Sequence, residues 1–559
     1  MIELQWLIPL LPVLSALLVH LLAGRLGKGV ARLSVGIGVV TFVVALWQIV
    51  VYIVGGNGPG WIGLTASWGS LYLDPLSATM ALVVAGFSLI VRIYSVRYMT
   101  EEAGYARFFM LLDLMSASIL LFVTAGDLIT LLIAWHMVSV MMYFLLGQNT
   151  ESRPGERYAF WTFITYRIGD LPLVLAAVLL FQAYGALDFP TLFDRLMADP
   201  TVEVFGIPAA ITAAGLIAIS AFAKSAQFPL HTWLPYTMDG PTPVSALMHA
   251  GIVNAGGIII NRFAPAFVNA DGVLHLLFVV GLFTAVIGSI LMLTQNDIKK
   301  SLGYSTMGQM GFMIMECGVG AFSLAVFHLI AHGMFKATMF LSSGDLIGDA
   351  RRHDDVPVNP LYSFLVDRKT GKTRLPWLVI GLVTLIVPLA ILVLAHWAVS
   401  PDFFQKQGAI VLLFFGWITG VQVLFATHHL DATNPIRMML MILMSFALIV
   451  IGYSFIGHAF ETFLYPDAAF RDALYHAAGI DAVTFDGLVV LLGLVVLAGW
   501  IGSYLASREE SLFGNRFTEM RLTLYSLISR ELYISDLYER LSQALLEGSK
   551  RINVWTRWR

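Results

Sequence analysis

Runs of about 20 apolar residues recur along this chain almost from end to end, and few architectures accept them. A bilayer's hydrocarbon core is roughly 30 Å thick, which about 20 helical residues cross. Within it every backbone N–H and C=O must be satisfied by protein, so spanning segments are helices or closed barrels. The runs here are continuous rather than alternating, which selects helices. Fifteen spans fit, at roughly 5–24, 30–54, 75–96, 108–125, 128–147, 158–184, 208–229, 242–261, 272–293, 300–317, 321–343, 375–398, 408–427, 438–460 and 484–506. The chain therefore reads as an all-α polytopic membrane protein of about fifteen transmembrane helices. Only 12% of its residues are charged, against roughly 25% in soluble domains. The first run follows Glu3 and carries no small-residue cleavage site, so it reads as a span rather than a signal peptide.

Charge in the connecting links orients the spans. Arg25, Lys28 and Arg32 follow span 1, Arg97 and Arg107 follow span 3, and Lys299 and Lys300 follow span 9. The link after span 11 adds Arg351, Arg352, Arg368, Lys369, Lys372 and Arg374. All fall on one side, which the positive-inside rule makes cytoplasmic. Opposite links are bare (55–74) or acidic, with Asp188, Asp194, Asp199 and Glu203, then Asp467, Asp472 and Asp481. The N-terminus is thus expected outside and the C-terminus in the cytoplasm, in a bacterial inner membrane. Segment 58–74 reads equally as a small external hairpin or an irregular loop. Beyond Ser507, Leu524, Leu527, Ile528, Leu532, Leu537, Leu541 and Leu545 recur at helical spacing among charges, which predicts a cytoplasmic amphipathic helix. Its mixed charge favours a protein partner over lipid.

Several functions are excluded. Cys317, the single cysteine, rules out an internal disulfide, a thiolate zinc site and a thiolate-held iron–sulfur cluster. No block of basic residues suggests nucleic acid, and a net charge of −3 is uninformative.

Ionisable residues inside spans are costly and mark ion paths by default. The stretch 221–254 places Lys224 five residues before Pro229, which breaks the helix, and His249 on the next apolar run. The bland alternative is a lysine snorkelling from a helix end. In span 6, Arg167 and Asp170 are three apart and share a face, as a structural pair or a functional one with equal weight. Asp113 lies inside span 4 without an obvious local partner. In span 11, His328, His332 and Lys336 recur every four residues and form one titratable stripe. The two histidines have zinc-binding spacing, but the HLIAH sequence lacks the glutamate of HExxH and Lys336 repels a cation, so a proton relay ranks above a metal site. Pro388 in span 12 stands where Pro229 stands in span 7, a weak pointer to paired repeats.

These stretches, AFAKSAQFPLHTWLPYTMDGPTPVSALMHA, LTQNDIKKSLGYSTMGQMGF and FHLIAHGMFKATMFLSSG, resemble the antiporter-like subunits of respiratory complex I (subunit 5 type) and of Mrp cation/proton antiporters, over about residues 60–345. The resemblance implies two inverted five-helix repeats with broken helices 7 and 12 and a central polar axis. On it the chain divides into N-terminal helices (1–107), a first repeat (108–261), a divergent second repeat (272–430), C-terminal helices (431–506) and a tail (507–559). It makes Lys224 the central proton-binding lysine, His249 its neighbour, and His328, His332 and Lys336 the axis. Arg167 and Asp170 match the family's Arg-x-Gly-Asp, and Lys300 a basic residue after Asp-Ile-Lys. Two departures stand out. The family's Trp-Glu pair in helix 5 is here Trp135-His136, so the acidic partner of Lys224 must come from elsewhere, with Asp170 and Asp113 as candidates. The helix 12 Lys-Asp-Glu element is missing and 346–480 matches poorly, which leaves a second half-channel unsupported.

The departures and the tail SRELYISDLYERL are similar to DabB-type membrane subunits of bacterial DAB inorganic-carbon accumulation complexes. That resemblance implies a DabA-like soluble partner, a zinc protein similar to β-carbonic anhydrases, in which cation flow, taken as protons, drives hydration of CO2 to bicarbonate. The chain itself would be a transporter subunit, not an enzyme, with no cofactor of its own. The alternative is the proton-translocating subunit of a complex I-like or Mrp-type assembly; a bare structural anchor is the third reading.

Overall fold

The computed structural model describes residues 5–350 apart from 56–59, 64–68, 103, 149–152, 238–239 and 296, together with 377–399, 413, 435–481, scattered positions from 483 to 494, and 522–556 apart from 524. These fall into two units, one of residues 1–318, 328–345 and 515–559 and one of 319–327 and 346–514. The expected spans at 408–427 and 484–506 lie almost wholly outside the described residues, as does the basic link from 351 to 374.

In the first unit α1 (Leu7–Leu26) and α2 (Val30–Gly55) are joined by a single 3-10 turn. The segment left open between loop and hairpin is a hairpin: β1 (Gly60–Gly63) pairs antiparallel with β2 (Ser70–Leu73), Trp61 opposite Tyr72. There follow α3 (Pro75–Tyr98), α4 (Tyr105–Thr124), α5 (Leu128–Leu146) and α6 (Arg153–Tyr184). The acidic link then folds into an amphipathic helix α7 (Phe189–Ala198) and a two-residue hairpin, β3 (Glu203–Val204) and β4 (Ile207–Pro208), neither of which the sequence pattern announced. Next come α8 (Ala209–Lys224), α9 (Thr242–Leu247), a π turn (Met248–Ile252), α10 (Ala255–Arg262), α11 (Ala264–Phe267), α12 (Asp271–Leu293), α13 (Ile298–Gly318) and α14 (Phe322–Ala350). The chain continues through α15 (Trp377–Val399), α16 (Pro435–Leu464) and α17 (Ala468–Ala477), and the tail ends in α18 (Ile534–Thr556). Among the described residues nine helical stretches are long and apolar enough to cross a bilayer, the first of them containing both α1 and α2.

The two ends of the first unit are tied separately. At one end Asp127 caps α5 by accepting from the Thr130 amide at 2.8 Å, and its second oxygen accepts from the Ser70 amide and hydroxyl at 2.7 Å. Gly126 makes that junction possible: a Cβ there would lie 2.8 Å from the Leu71 carbonyl carbon. Arg262, at the end of α10, pairs with the α3 cap Asp74 at 2.6 Å. At the other end Arg107 donates to the Gln148 carbonyl at 2.6 Å, and Tyr98 shares a 3.0 Å hydrogen bond with Thr242. The tail belongs to this second end: Tyr538 donates to the Pro229 carbonyl at 2.8 Å and Glu539 pairs with Arg157 at 2.7 Å. The tail therefore shares an end with the links that carry Arg97 and Arg107.

In the second unit α15 packs on α16 through Leu392, Ala395 and Val450. Pro388 lies inside α15, which runs through it unbroken. The sequence expectation of a broken helix at this position is met in α8 but not in α15.

Asp113 finds three partners on three other helices. Its carboxylate accepts from Ser15 of α1 at 2.6 Å, Ser34 of α2 at 2.7 Å and Arg92 of α3 at 2.7 Å. All four groups are buried. Removing one member of a buried pair leaves the other charge uncompensated and costs about 3–5 kcal/mol. Arg92→Ala should therefore lower the thermal unfolding temperature of the detergent-solubilised protein strongly, and Arg92→Met with Asp113→Asn should recover part of the loss. A wild-type unfolding temperature for Arg92→Ala would mean that the knot contributes nothing to the bundle.

Candidate ion-translocation site

The break in α8 comes earlier than the proline. The last helical residue is Lys224, followed by turns to residue 237. Pro229 has no N–H and disfavours helix at the residue before it, so the ladder cannot be carried across 228–229. The chain unwinds ahead of that point: Ala226 takes the left-handed conformation, with φ of +49°. The freed groups are recovered locally. Gln227 N donates to Phe222 O at 2.9 Å, Phe228 N to the Thr284 hydroxyl at 3.1 Å, and Trp233 Nε1 to Ala223 O at 3.1 Å. Ser225 closes the joint, donating to Val253 O at 2.6 Å and accepting from Gly256 N at 3.2 Å. A Cβ at position 256 would fall 2.3 Å from the Ser225 hydroxyl oxygen, so only glycine lets α10 meet the broken end.

Lys224 is 1% exposed. Its ammonium donates to the Trp135 carbonyl of α5 at 2.5 Å and lies 3.7 Å from the centre of the Trp135 ring and 5.6 Å from that of Tyr166. Cation–π attraction and the negative end of the α8 dipole both favour the charge there. Among the described residues no carboxylate hydrogen-bonds it; the charges acting on it are those of Asp170 and Arg167 on α6. A cavity of about 10 Å³, room for about one water, adjoins the ammonium and is walled by Trp135, Val138, Gly251, Ile252 and Ala255.

Asp170 is held by two side chains. Arg167 pairs with it at 2.9 Å and His136 approaches the same oxygen at 3.0 Å. Arg167 also contacts His136 and stacks over Phe163. The histidine that replaces the family's helix 5 acid thus sits in one cluster with the Arg-x-Gly-Asp pair, and its side chain is half exposed.

The stripe on α14 forms a second group. His328 meets Glu316 of α13 at 3.1 Å and Gln309 at 2.9 Å. His332 is buried, 6.3 Å from the His328 ring centre, and neither of its nitrogens is hydrogen-bonded by a described residue. Lys336 donates to Leu302 O at 3.3 Å. His249, on the π turn, stacks on Phe340 with ring centres 4.2 Å apart and acts electrostatically on His332, as Lys336 does. π turns concentrate at functional sites, and this one joins the two groups: Gly251 and Ile252 wall the Lys224 cavity, and His249 faces α14.

The site residues read from sequence thus separate into four places. Lys224 lies beside Trp135, and His136, Arg167 and Asp170 form a cluster next to it. His249, His328, His332 and Lys336 gather around α14. Asp113 is in the structural knot of α1 to α4. Lys300 is at the tail, paired with Glu531. Glu316 and Glu531 escaped the sequence reading. Glu316 was visible as an acid inside the apolar run MIMECG, whereas Glu531 sat unmarked among the charges of an amphipathic segment.

The transmembrane profile of NADH:quinone oxidoreductase and Mrp antiporter subunits matches residues 125–399, and that of the complex I chain 5 N-terminus matches 62–109. The match thus passes 345, where the resemblance was expected to fade, and takes in α15. A subunit of the Mrp complex from Dietzia superposes with a TM-score of 0.60 at 23% identity, covering 99% of this chain and 60% of that one. A chain of the archaeal membrane-bound sulfane sulfur reductase gives 0.56 at 20% identity, covering 95% and 99%. At these identities the likeness is one of fold. The family-model matches, with the buried lysine on a broken helix, define the class as an antiporter-like, cation-translocating membrane subunit. The NAD(P)H-quinone oxidoreductase chain 5 of Synechocystis is 37% identical over 362 residues, 62% of this chain and 53% of that longer protein. The probable inorganic carbon transporter subunit DabB1 of Halothiobacillus neapolitanus is 75% identical over 558 residues, 100% of both chains. The chain belongs to the DabB family within the complex I subunit 5 and Mrp antiporter superfamily.

A relay fails when one member is removed. His332→Ala should slow cation flux in proteoliposomes on the order of 100-fold. Met334→Ala, on the exposed side of the same helix, should leave it unchanged. Equal rates for the two would return His332 to the role of a packed core histidine.

Proposed function

We propose that this chain is the proton-conducting membrane subunit of a complex that accumulates inorganic carbon, and that ion flow through it drives hydration of CO2 to bicarbonate in a soluble zinc partner of the DabA type, similar to β-carbonic anhydrases. The observation that carries the conducting role is Lys224, a buried ammonium on a broken helix held by a carbonyl and a ring rather than by a carboxylate. The relative 75% identical along its whole length supports the carbon branch. Lys224 accepts and releases the proton, His249 receives it across the π turn, and His332, Lys336 and the His328–Glu316 pair carry it along α14. Asp170, paired with Arg167 and in contact with His136, sets the field at Lys224.

On this reading the chain supplies the path and the second protein supplies the reaction centre. The energy suffices: one charge crossing 100 mV releases about 2.3 kcal/mol, which biases an equilibrium roughly 50-fold. The charge asymmetry of the links supports an N-terminus outside and a tail in the cytoplasm, where α18 would offer the exposed Leu537, Leu541, Leu545 and Ile552 as a docking stripe. The competing reading, a complex I-like or Mrp-type subunit, rests on the Synechocystis relative.

Cells without carbonic anhydrase should grow in air when this chain and its partner are both made. Lys224→Ala should abolish that growth while the complex still assembles, and an uncoupler should stop carbon uptake by the wild type. Growth of the Lys224→Ala strain would end the conducting role. Isolation of the chain with quinone-reducing or antiport subunits and no zinc protein would move it to the competing reading.

A further inference from the structure

One buried cluster of titratable groups lies outside the path above, where the tail meets the broken segment. The tail is not the continuous helix its leucine spacing predicted. Glu531, Leu532 and Tyr533 have φ of +57°, +57° and +58°. Such residues cost roughly 1–2 kcal/mol each, so the turn exists because something offsets it. What it achieves is the burial of Glu531, which is 2% exposed. Its carboxylate accepts from the Tyr236 hydroxyl at 2.7 Å and pairs with Lys300 of α13, whose ammonium lies 4.7 Å from the Tyr236 ring centre. Burial pushes this carboxyl up, but Lys300 and the hydroxyls of Tyr236 and Tyr304 outweigh it and hold it below the usual range, so it is ionised. The docking energy it contributes is complete above the free carboxyl value of about 4.3. It is lost only as pH falls through the lower docked value, so the tail stays seated across the neutral range.

Beside this charge is His231, on the broken segment two residues after Pro229. It is fully buried, stacks on Phe228 at 5.5 Å, and has the Tyr304 ring 6.4 Å away. Neither ring nitrogen makes a well-formed hydrogen bond to a described residue, although the Pro229 backbone is close enough to act on the ring. Buried polar groups are normally paired, and an unpaired imidazole needs an explanation. Burial pushes the His231 ring down to about 4, and Glu531 is the charge that acts in the opposite direction. Two residues further on, Trp233 bonds the carbonyl next to Lys224 and packs on Tyr166 at 4.8 Å. The segment that carries His231 is therefore fastened to the lysine's own surroundings.

We propose that His231 is the proton-receiving group at the tail-side mouth of the path, and that Glu531, supplied by the tail, is the charge that holds a proton on it, so that the path is complete only with the tail docked. This rests on the proton-conducting reading. A proton from the aqueous phase adds to one nitrogen of the neutral ring, and the imidazolium releases a proton toward the broken segment and returns to neutral. The groups facing Glu531 set the sign: Lys300 and Tyr304 from α13, and Tyr236 and His231 from the broken segment. Arg157 of α6 is taken up by Glu539 further along.

The test measures proton flux against pH in liposomes holding the full-length chain with its co-purified partner, under an imposed potential. His231→Gln should cut flux at least about 10-fold. Glu531→Gln should move the pH of half-maximal flux down by about one unit, and Lys300→Met, which leaves Glu531 unneutralised, should move it up by about one unit. Glu531→Asp should restore the wild-type direction. A merely structural peg predicts that the two charge variants, which break the same ion pair, change flux in the same way. That result, or wild-type flux in His231→Gln, overturns the proposal. Amide exchange over 534–556 reports whether the tail is seated; should Glu531→Gln release it, the His231→Gln and Lys300→Met arms still decide. Lys224→Ala is the reference: if it conducts like wild type the conducting reading itself falls, whereas if it is blocked while His231→Gln conducts, only this inference falls.

Discussion

Lys224 donates a hydrogen bond to the Trp135 carbonyl in a setting that is 1% exposed, and much of the surrounding structure follows from the cost of putting an ammonium there. Taking such an ion from water costs several kcal/mol even after relaxation. The carbonyl hydrogen bond, the Trp135 face and the α8 terminus each return on the order of 1–2 kcal/mol. Among the described residues no carboxylate hydrogen-bonds it. A group held by several small terms, rather than one large one, responds to small changes in the field around it, and that is the property an ion relay requires. A tight Lys–Glu pair at this position would be more stable and less responsive.

That arrangement needs a broken helix. Only a helix end offers the ammonium a dipole and frees backbone at bilayer depth, and freed backbone is tolerable only where protein covers it. Trp233, Thr284, Ser225 and Gly256 supply the cover. The π turn at 248–252 belongs to the same solution, since it puts Gly251 and Ile252 on the Lys224 cavity and His249 on α14 in one stretch of chain. Pro388 lacks this company: α15 passes through it without a break, and five residues before it stands Val383 rather than a lysine.

The spans were legible because hydrophobic length is a physical requirement of the bilayer, and the α14 stripe because four-residue spacing places residues on one face. Lys224 was legible for the same reason, as a charge where none is affordable without purpose. What stayed hidden depended on contacts far apart in the chain. Asp113 looked partnerless because its partners are 21, 79 and 98 residues away. The Trp135 carbonyl carries no sequence signal at all. Pro229 marked the break but not its position, because the ladder fails upstream of the residue that cannot join it. The tail misled most: its leucines keep helical spacing across Glu531–Tyr533, yet the backbone there is left-handed, since burying one carboxylate against Lys300 and Tyr236 outweighs continuing the helix.

The tail's construction bears on how a partner could be coupled to the path. Its root is a charge buried against Lys300, its middle is pinned by Tyr538 and Glu539, and its outer face presents leucines that nothing in the described structure covers. A partner seated on those leucines would pull on a rigid helix of 23 residues whose other end is the carboxylate beside His231. The left-handed turn at Glu531–Tyr533 costs the seated form a few kcal/mol, on the order of 1–2 kcal/mol per residue, which the buried Glu531–Lys300 pair offsets. Work passed in either direction, from ion to partner or from partner to ion, would go through this one joint, because it is where the tail delivers a charge into the membrane part of the chain.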